Sequence, residues 1–290
     1  MTEQPLVSVI MNCFNGEKYL REAIDSVLAQ TYQNWELIFW DNQSTDLSAA
    51  IVKKYRDKRI RYFYAPQHTK LYKARNEAYK RCKGELISLL DTDDHWKKTK
   101  LSIQVELFKD KQVGLAYGNF LIENLEKCTT NLKYKGKLPA GDITGQLLEN
   151  YVVSTLTLMA RKSTIEKLEK VFDEEFDLIG DFDFVVRLSK ISKIEVIMES
   201  LAVCKWHGKN LSITNKNHLI EEMVQWHSKN NNLFKEYKEI KLYENLINFL
   251  KVKQALQEGN QVQLGKELNL GIFNVLVSKL KNRLLKRTSI

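Results

Sequence analysis

Over its first hundred residues the chain alternates short apolar runs with segments of helical spacing. That alternation restricts the fold more than any other feature of the sequence. Residues 7–11 (Val-Ser-Val-Ile-Met), 36–40, 60–64 and 86–90 are apolar runs of strand length. Between them, Leu20, Ala23, Ile24, Val27 and Leu28 recur at helical spacing within 17–30. Asp46 can cap a helix through about residue 57, and 70–83 and 97–109 also read as helices. Runs buried on both faces and separated by helices predict an α/β fold, a mostly parallel sheet flanked by helices. Right-handed crossovers set every strand's carboxyl end on one edge. Open α/β sheets bind ligands along that edge.

Beyond residue 110 the pattern is less regular. Strands are expected near 113–118, 152–160 and 194–204, with helices over 163–171 and 181–191. From about 216 long helical patterns take over, so the chain divides into a domain of residues 1–215 and a helical C-terminal extension, 216–290. With 43% hydrophobic and 28% charged residues, the bulk of the chain is not intrinsically disordered. No apolar run approaches the ~18 residues of a membrane span. The start has no basic leader or hydrophobic signal core, so a cytoplasmic location is expected. Cys13, Cys82, Cys128 and Cys204 form no C-x-x-C pair and read as reduced thiols. The formal charge of +9 suggests an anionic partner. Nucleic acid is disfavoured, because the basic residues are dispersed among acids along most of the chain.

Three polar clusters fall at strand ends: Asn12 to Asn15, Asp41, and Asp91 to Asp94. In Leu90-Asp91-Thr92-Asp93-Asp94 three carboxylates crowd four positions, and their ionised forms need compensating cations. The D-x-D spacing turns two carboxylates toward the same space, where a hard divalent ion takes oxygen ligands and can hold a diphosphate. Asp41 ends its strand, so its carboxylate is expected in the edge cleft, a suitable acceptor for a nucleobase imino N–H. Ser44, Thr45 and Asp46 suit a helix cap.

These segments together resemble the inverting family-2 glycosyltransferases of the GT-A fold. The resemblance is carried by VSVIMNCFNGEKYLREAIDSVLAQTY at 7–32, ELIFWDNQSTD at 36–46 and ARNEAYKRCKGELISLLDTDD at 74–94. It continues more weakly through GDFDFVVRL at 180–188 and KWHGKNLS at 205–212, covering roughly residues 5–215. It implies a metal-dependent glycosyltransferase with a nucleotide-sugar donor, most simply a UDP-sugar, and a bacterial surface glycan or lipid-linked saccharide as acceptor. Asn12 and Phe14 would line the base pocket, with Asn15 in the same donor-binding segment, and Asp41 would accept the uracil imide proton. Arg75 would face the diphosphate, and Asp91 would bond the ribose. Asp93 would bind Mn²⁺ or Mg²⁺, with Asp94 as second ligand or outer-shell partner, and His207 would complete the metal shell or hold the diphosphate. Asp181 falls at the family's catalytic base, with Arg187 at the family's spacing.

The chain departs from the family pattern at three places. Gly180 stands where Glu is frequent, Gln43 where Gly is usual, and Lys70-Leu71-Tyr72-Lys73 where a Gly is common. Two rival functions fit part of the pattern. A sugar-1-phosphate nucleotidyltransferase needs a Gly-rich basic loop after the first strand, and Asn-Cys-Phe-Asn-Gly-Glu-Lys-Tyr offers one Gly and no Arg. A nucleotide- or glycan-binding module would not need the acidic triplet and Asp181 together. Finally, residues 272–287 place Ile272, Phe273, Leu276, Val277, Leu280 and Leu284 on one helical face beside five cations. This pattern suits either peripheral docking on an acidic membrane surface, the inner face of the cytoplasmic membrane, or packing on the catalytic domain or a second subunit.

Overall fold

The computed structural model describes residues 4–207 and 216–257. The chain divides into two compact units, Met1–Thr214 and Asn215–Ile290. In the first unit the four apolar runs become β1 (Val7–Cys13), β2 (Trp35–Asp41), β3 (Ile60–Tyr64) and β4 (Leu86–Leu89). They pair in parallel in the order β3-β2-β1-β4. β1 and β2 are buried along nearly their whole length, which is why their sequences are apolar runs rather than alternating ones. The connecting helices α1 (Leu20–Leu28), α2 (Ser48–Val52) and α3 (Leu71–Tyr79) follow the expected order.

The rest of the sheet is mixed. After the two-residue β5 (His95–Trp96) and helix α4 (Lys100–Leu107) come β6 (Val113–Asn124), β7 (Thr129–Leu132), α5 (Thr144–Glu149), β8 (Met159–Arg161), α6 (Lys162–Ile165), α7 (Gly180–Ser189) and β9 (Lys193–Trp206). β8 pairs antiparallel to both β4 and β6, β9 runs parallel to β6, and β5 closes the far edge antiparallel to β9. The parallel expectation therefore holds for the first four strands and gives way to a mixed sheet beyond them. In the second unit α8 (Lys216–Asn230) and α9 (Ile240–Gln257) pack around Trp226, whose ring lies 5.5 Å from Phe234 and 5.2 Å from Tyr243.

Three elements differ from the sequence expectation for identifiable reasons. The helix expected through residue 57 stops at Val52. Asp57 is instead turned onto Arg59, accepting its N–H and its guanidinium to start β3. The strand expected over 152–160 is irregular at first, then a 3₁₀ turn at Thr155–Thr157, and becomes strand only at the short β8. Side chains claim carbonyls of the turn: the Trp96 indole donates to Leu156 O and the Gln104 amide to Thr157 O. The helix expected over 163–171 shortens to Lys162–Ile165. Inside α4, Lys100 is fully buried; its ammonium donates to Ser88 Oγ and Gln104 Oε1 and lies 4.0 Å from the Trp96 ring. The described cysteines are free thiols, and no described helix is long and apolar enough to cross a membrane. The basic stripe at 272–287 lies outside the described residues.

At the amino ends of the strands, away from the polar clusters, Glu36 ties the parallel half together. It accepts from Ser8 Oγ on β1, Arg61 on β3 and the Lys83 N–H before β4. Gly84 passes so close to β1 that a Cβ there would stand 2.6 Å from Leu6 O and Ser8 N.

Candidate functional site

The carboxyl ends of β1, β2 and β4 bring the three polar clusters to one edge. Asn12 and Phe14 are two residues apart on β1 and its exit, so they face the same side. Phe14 is 53% exposed and offers a flat apolar ring, with the His68 ring 4.3 Å away. The Asn12 amide is enclosed, and among the described residues neither its oxygen nor its nitrogen has a partner. An enclosed amide with both ends unsatisfied is costly unless a ligand pairs with it. Asn15 sits in the left-handed region, φ +55°, and its Oδ1 accepts the Thr45 N–H at 2.8 Å. It pins the β1 loop to the β2 loop.

Asp41 differs from its expectation. It ends β2 but does not open on a cleft: it is 0% exposed, Oδ1 accepts the Ser44 N–H and Oδ2 the Tyr62 hydroxyl, both at 2.7 Å. The physical reason is register. Asp41 is paired with Cys13, the residue between Asn12 and Phe14, so it leans to the opposite face of the sheet. A carboxylate keeps lone pairs beyond these two bonds, so it can take a further N–H only from a group that enters its enclosure. Asn42 next to it holds the 68–69 segment, donating to Thr69 O and accepting the Thr69 N–H, which keeps His68 beside Phe14.

On α3, Arg75 is 3% exposed and donates to Asp91 Oδ1 at 2.8 Å, while the Asp91 side chain is 39% exposed. Asp93 Oδ2 meets His207 Nε2 at 3.0 Å, and the Tyr19 ring stacks on His207. Gly16 brings the β1 loop against this turn; a Cβ there would lie 2.8 Å from Thr92 Oγ1. Burial first, then the charge of Asp91, pushes the Asp93 carboxyl above the usual carboxylate range. Asp94 is pushed up further by burial and by both neighbours. The repulsion expected of the triplet is therefore present. Asp94 is tied to β9: its Oδ1 accepts the Lys205 N–H at 2.9 Å. A carboxylate oxygen and an imidazole nitrogen at 3.0 Å, next in the chain to the carboxyl of Asp94, suit a divalent cation. The site therefore fits the metal expected from the sequence through Asp93 and His207.

Asp181 and Asp183 open helix α7 together but differ in surroundings. Asp183 is buried and paired with Arg187 at 2.6 Å; Arg187 also donates to Lys170 O and Val171 O. Its charge is consumed in holding the helix. Asp181 has no such cation on its own helix. Oδ1 accepts the Tyr72 hydroxyl at 3.1 Å and Oδ2 the Tyr151 hydroxyl at 3.2 Å. Burial raises its carboxyl above the usual range, and the positive charge of Arg75 pulls it partly back. Tyr62, His68, Tyr72 and Tyr151 were not signalled as site residues by the sequence. For Tyr72 a signal existed, since it stands one helical turn before Arg75.

A sheet with these polar edges, flanked by helices, has the GT-A architecture of glycosyltransferases. The profile of Glycosyl transferase family 2 matches residues 8–168, over half of the chain, and the chain belongs to that family. The UDP-Glc:alpha-D-GlcNAc-diphosphoundecaprenol beta-1,3-glucosyltransferase WfgD of Escherichia coli is 30% identical over 223 residues, 76% of this chain and 84% of that protein. TuaG of Bacillus subtilis, named for teichuronic acid biosynthesis, is 32% identical over 158 residues, 54% of this chain and 62% of that one. Among solved structures, S. aureus TarS 1–349 in complex with UDP-GlcNAc is similar with a TM-score of 0.67 at 18% identity, over 90% of this chain and 79% of that chain. The Pyrobaculum calidifontis mannosyltransferase PcManGT, in complex with GDP-Man and Mn²⁺, has a TM-score of 0.65 at 16% identity, over 98% of this chain and 81% of that chain. At these identities the structures speak for the fold.

Proposed function

We propose that this glycosyltransferase moves a sugar from a UDP-sugar to a hydroxyl of a lipid-linked saccharide in bacterial surface polysaccharide synthesis, with inversion and with a divalent cation. The observation that carries the reading is the continuity of α3: Arg75 reaches Asp91 while its neighbour Tyr72 reaches Asp181. Groups suited to the donor and to the acceptor therefore stand one helical turn apart. Phe14 stacks on the base and the unpaired Asn12 amide bonds its edge. Asp41, held by the Ser44 N–H and the Tyr62 hydroxyl, braces that floor from the opposite face of the sheet. Asp91 bonds the ribose, and Arg75 turns from Asp91 to the diphosphate.

Asp93 and His207 would hold the cation, with Asp94 as a further carboxylate next to Asp93. When bound, the cation neutralises charge on the leaving diphosphate. Asp181 accepts the proton of the acceptor hydroxyl as its oxygen bonds to the anomeric carbon. The bond from that carbon to the diphosphate oxygen breaks in the same step, and the nucleotide leaves with the electron pair. The names of WfgD and TuaG support the donor class and the setting.

The test is a panel of UDP-, GDP- and CDP-sugars with Mn²⁺ or Mg²⁺, following release of the nucleoside diphosphate. UDP release that disappears in excess EDTA and in Asp93→Ala supports the reading. Full release in EDTA removes the cation from it, and release from GDP-sugars alone removes the uridine pocket.

A further inference from the structure

We infer that Tyr72 and Tyr151 are positioning residues that clamp the Asp181 carboxylate between two hydroxyls, and that Gly180 is glycine because the Tyr72 ring occupies the space beside it. The inference rests on Asp181 being the base for its mechanistic meaning, but not for its geometry. The two hydroxyls meet different oxygens of one carboxylate, at 3.1 and 3.2 Å. One such bond would leave the group free to rotate about it; two from separate elements fix both its place and its plane. One face of lone pairs then remains for an incoming hydroxyl.

Each tyrosine is itself fixed. A Cβ at position 180 would lie 2.6 Å from Tyr72 Cδ2 and Cε2, so any larger residue there displaces that ring. The Tyr72 ring also meets the Phe172 ring, tilted, with centroids 5.5 Å apart. Asn76, one turn further along α3, locks the helix to the same segment, donating to Phe172 O and accepting the Phe172 N–H. Tyr151 stands edge-on to Phe182 at 5.3 Å, held between α5 and the 3₁₀ turn.

Among the described residues, the charged and titratable groups facing Asp181 are Tyr72 and Arg75 from α3 and Tyr151 from the segment after α5. Asp183, on the same helix, is taken up by Arg187. Burial and then the negative charge of Asp181 push both phenols well above their usual range, so they stay protonated donors. Tyr72 also lies against Arg75, its ring 5.3 Å from the guanidinium carbon. Asp91, Arg75, Tyr72 and Asp181 thus form one continuous chain of contacts from the exposed carboxylate to the enclosed one. A charge-assisted hydrogen bond to a carboxylate favours its ionised form, so removing one donor makes the carboxyl harder to ionise.

The experiment is carboxyl-detected NMR titration of the full chain labelled at the aspartate carboxyls, with Asp181→Asn identifying the signal. Tyr72→Phe keeps the ring and removes the hydroxyl; Tyr151→Phe does the same on the other oxygen. Each is expected to raise the Asp181 midpoint by about one pH unit, leaving UDP binding by calorimetry unchanged. Gly180→Ala, which touches no polar atom, is expected to move the midpoint the same way by displacing the Tyr72 ring. With UDP-glucose and Mn²⁺, any UDP release should slow in both Phe variants, and its acid limb should shift with the midpoint.

Unmoved midpoints in both Phe variants overturn the clamp. If one variant does not fold, the other decides. Turnover retained in Asp181→Asn instead overturns the base assignment, and the titration still judges the clamp.

Discussion

Asp181 and Asp183 show how two identical residues two positions apart acquire different chemistry. Asp183 meets a guanidinium and becomes part of the helix; Asp181 meets two neutral hydroxyls in an enclosed site. Its carboxyl is raised by burial, so the rate of transfer should fall as pH drops through a midpoint above the usual carboxylate range. Asp181→Asn is expected to lower transfer by ~10²-fold or more while nucleotide binding survives. Asp183→Asn is expected to lower the melting temperature and leave the pH profile where it was. Thermal melts beside pH–rate curves separate the two. A loss of turnover with unchanged melting in Asp183→Asn would move the base two residues along.

At this scale the sequence was informative where chemistry follows from position in the chain. The acidic triplet repels as its spacing implied, and Gln43 does occupy a position with φ +69°, where glycine is favoured. It was uninformative where chemistry follows from register. Whether Asp41 faces a cleft depends on its pairing with Cys13 and on a tyrosine from the next strand, and no local pattern carries that.

Among the elements, those built from local periodicity were legible and those built from borrowed hydrogen bonds were not. The four parallel strands and α1, α3 and α7 are near where apolar spacing placed them. The strand expected over 152–160 shrinks to β8, and Trp96 and Gln104, far away in sequence, take carbonyls of the 3₁₀ turn before it. Glu36 is the counterpart in the parallel half, one carboxylate serving three elements. Burial alone would raise it, but the Lys83 N–H, Ser8 and Arg61 outweigh burial and hold it below the usual carboxylate range.

A carboxyl depressed in the folded chain stabilises above its unfolded pKa, about 4.3, and that stabilisation is lost as pH falls through the folded value. Glu36→Gln should therefore cost about 1–3 kcal/mol near neutral pH. Urea melts should show the gap from the parent chain closing in acid, below about pH 4. A gap that stays constant from neutral to acid would show that the charge of Glu36 contributes nothing.

For the whole molecule, the texture of the sequence changes near residue 216, where long helical periods replace strand signals. What the helices of the second unit do was not legible, since amphipathic spacing suits protein and lipid partners alike. The stripe at 272–287 is expected to give the full chain a salt-reversible affinity for anionic vesicles, each cation contributing on the order of 1 kcal/mol. Sedimentation with phosphatidylglycerol vesicles would compare the full chain with one ending at residue 268. Equal pelleting of the two would exclude the stripe as an anchor.

The pairing of His95 with Val203 ties a strand next to the acidic triplet to one made about a hundred residues later. His207, the partner of Asp93, emerges just behind it. At ~5–20 residues per second the ribosome leaves the triplet without either for some 5–20 s. The parallel half of the sheet can pair during that interval, because β1 to β4 are all synthesised by residue 89. A nascent chain would thus form the parallel edge proposed for the nucleotide before Asp93 could meet His207, and that pair would be the last part of this edge to form.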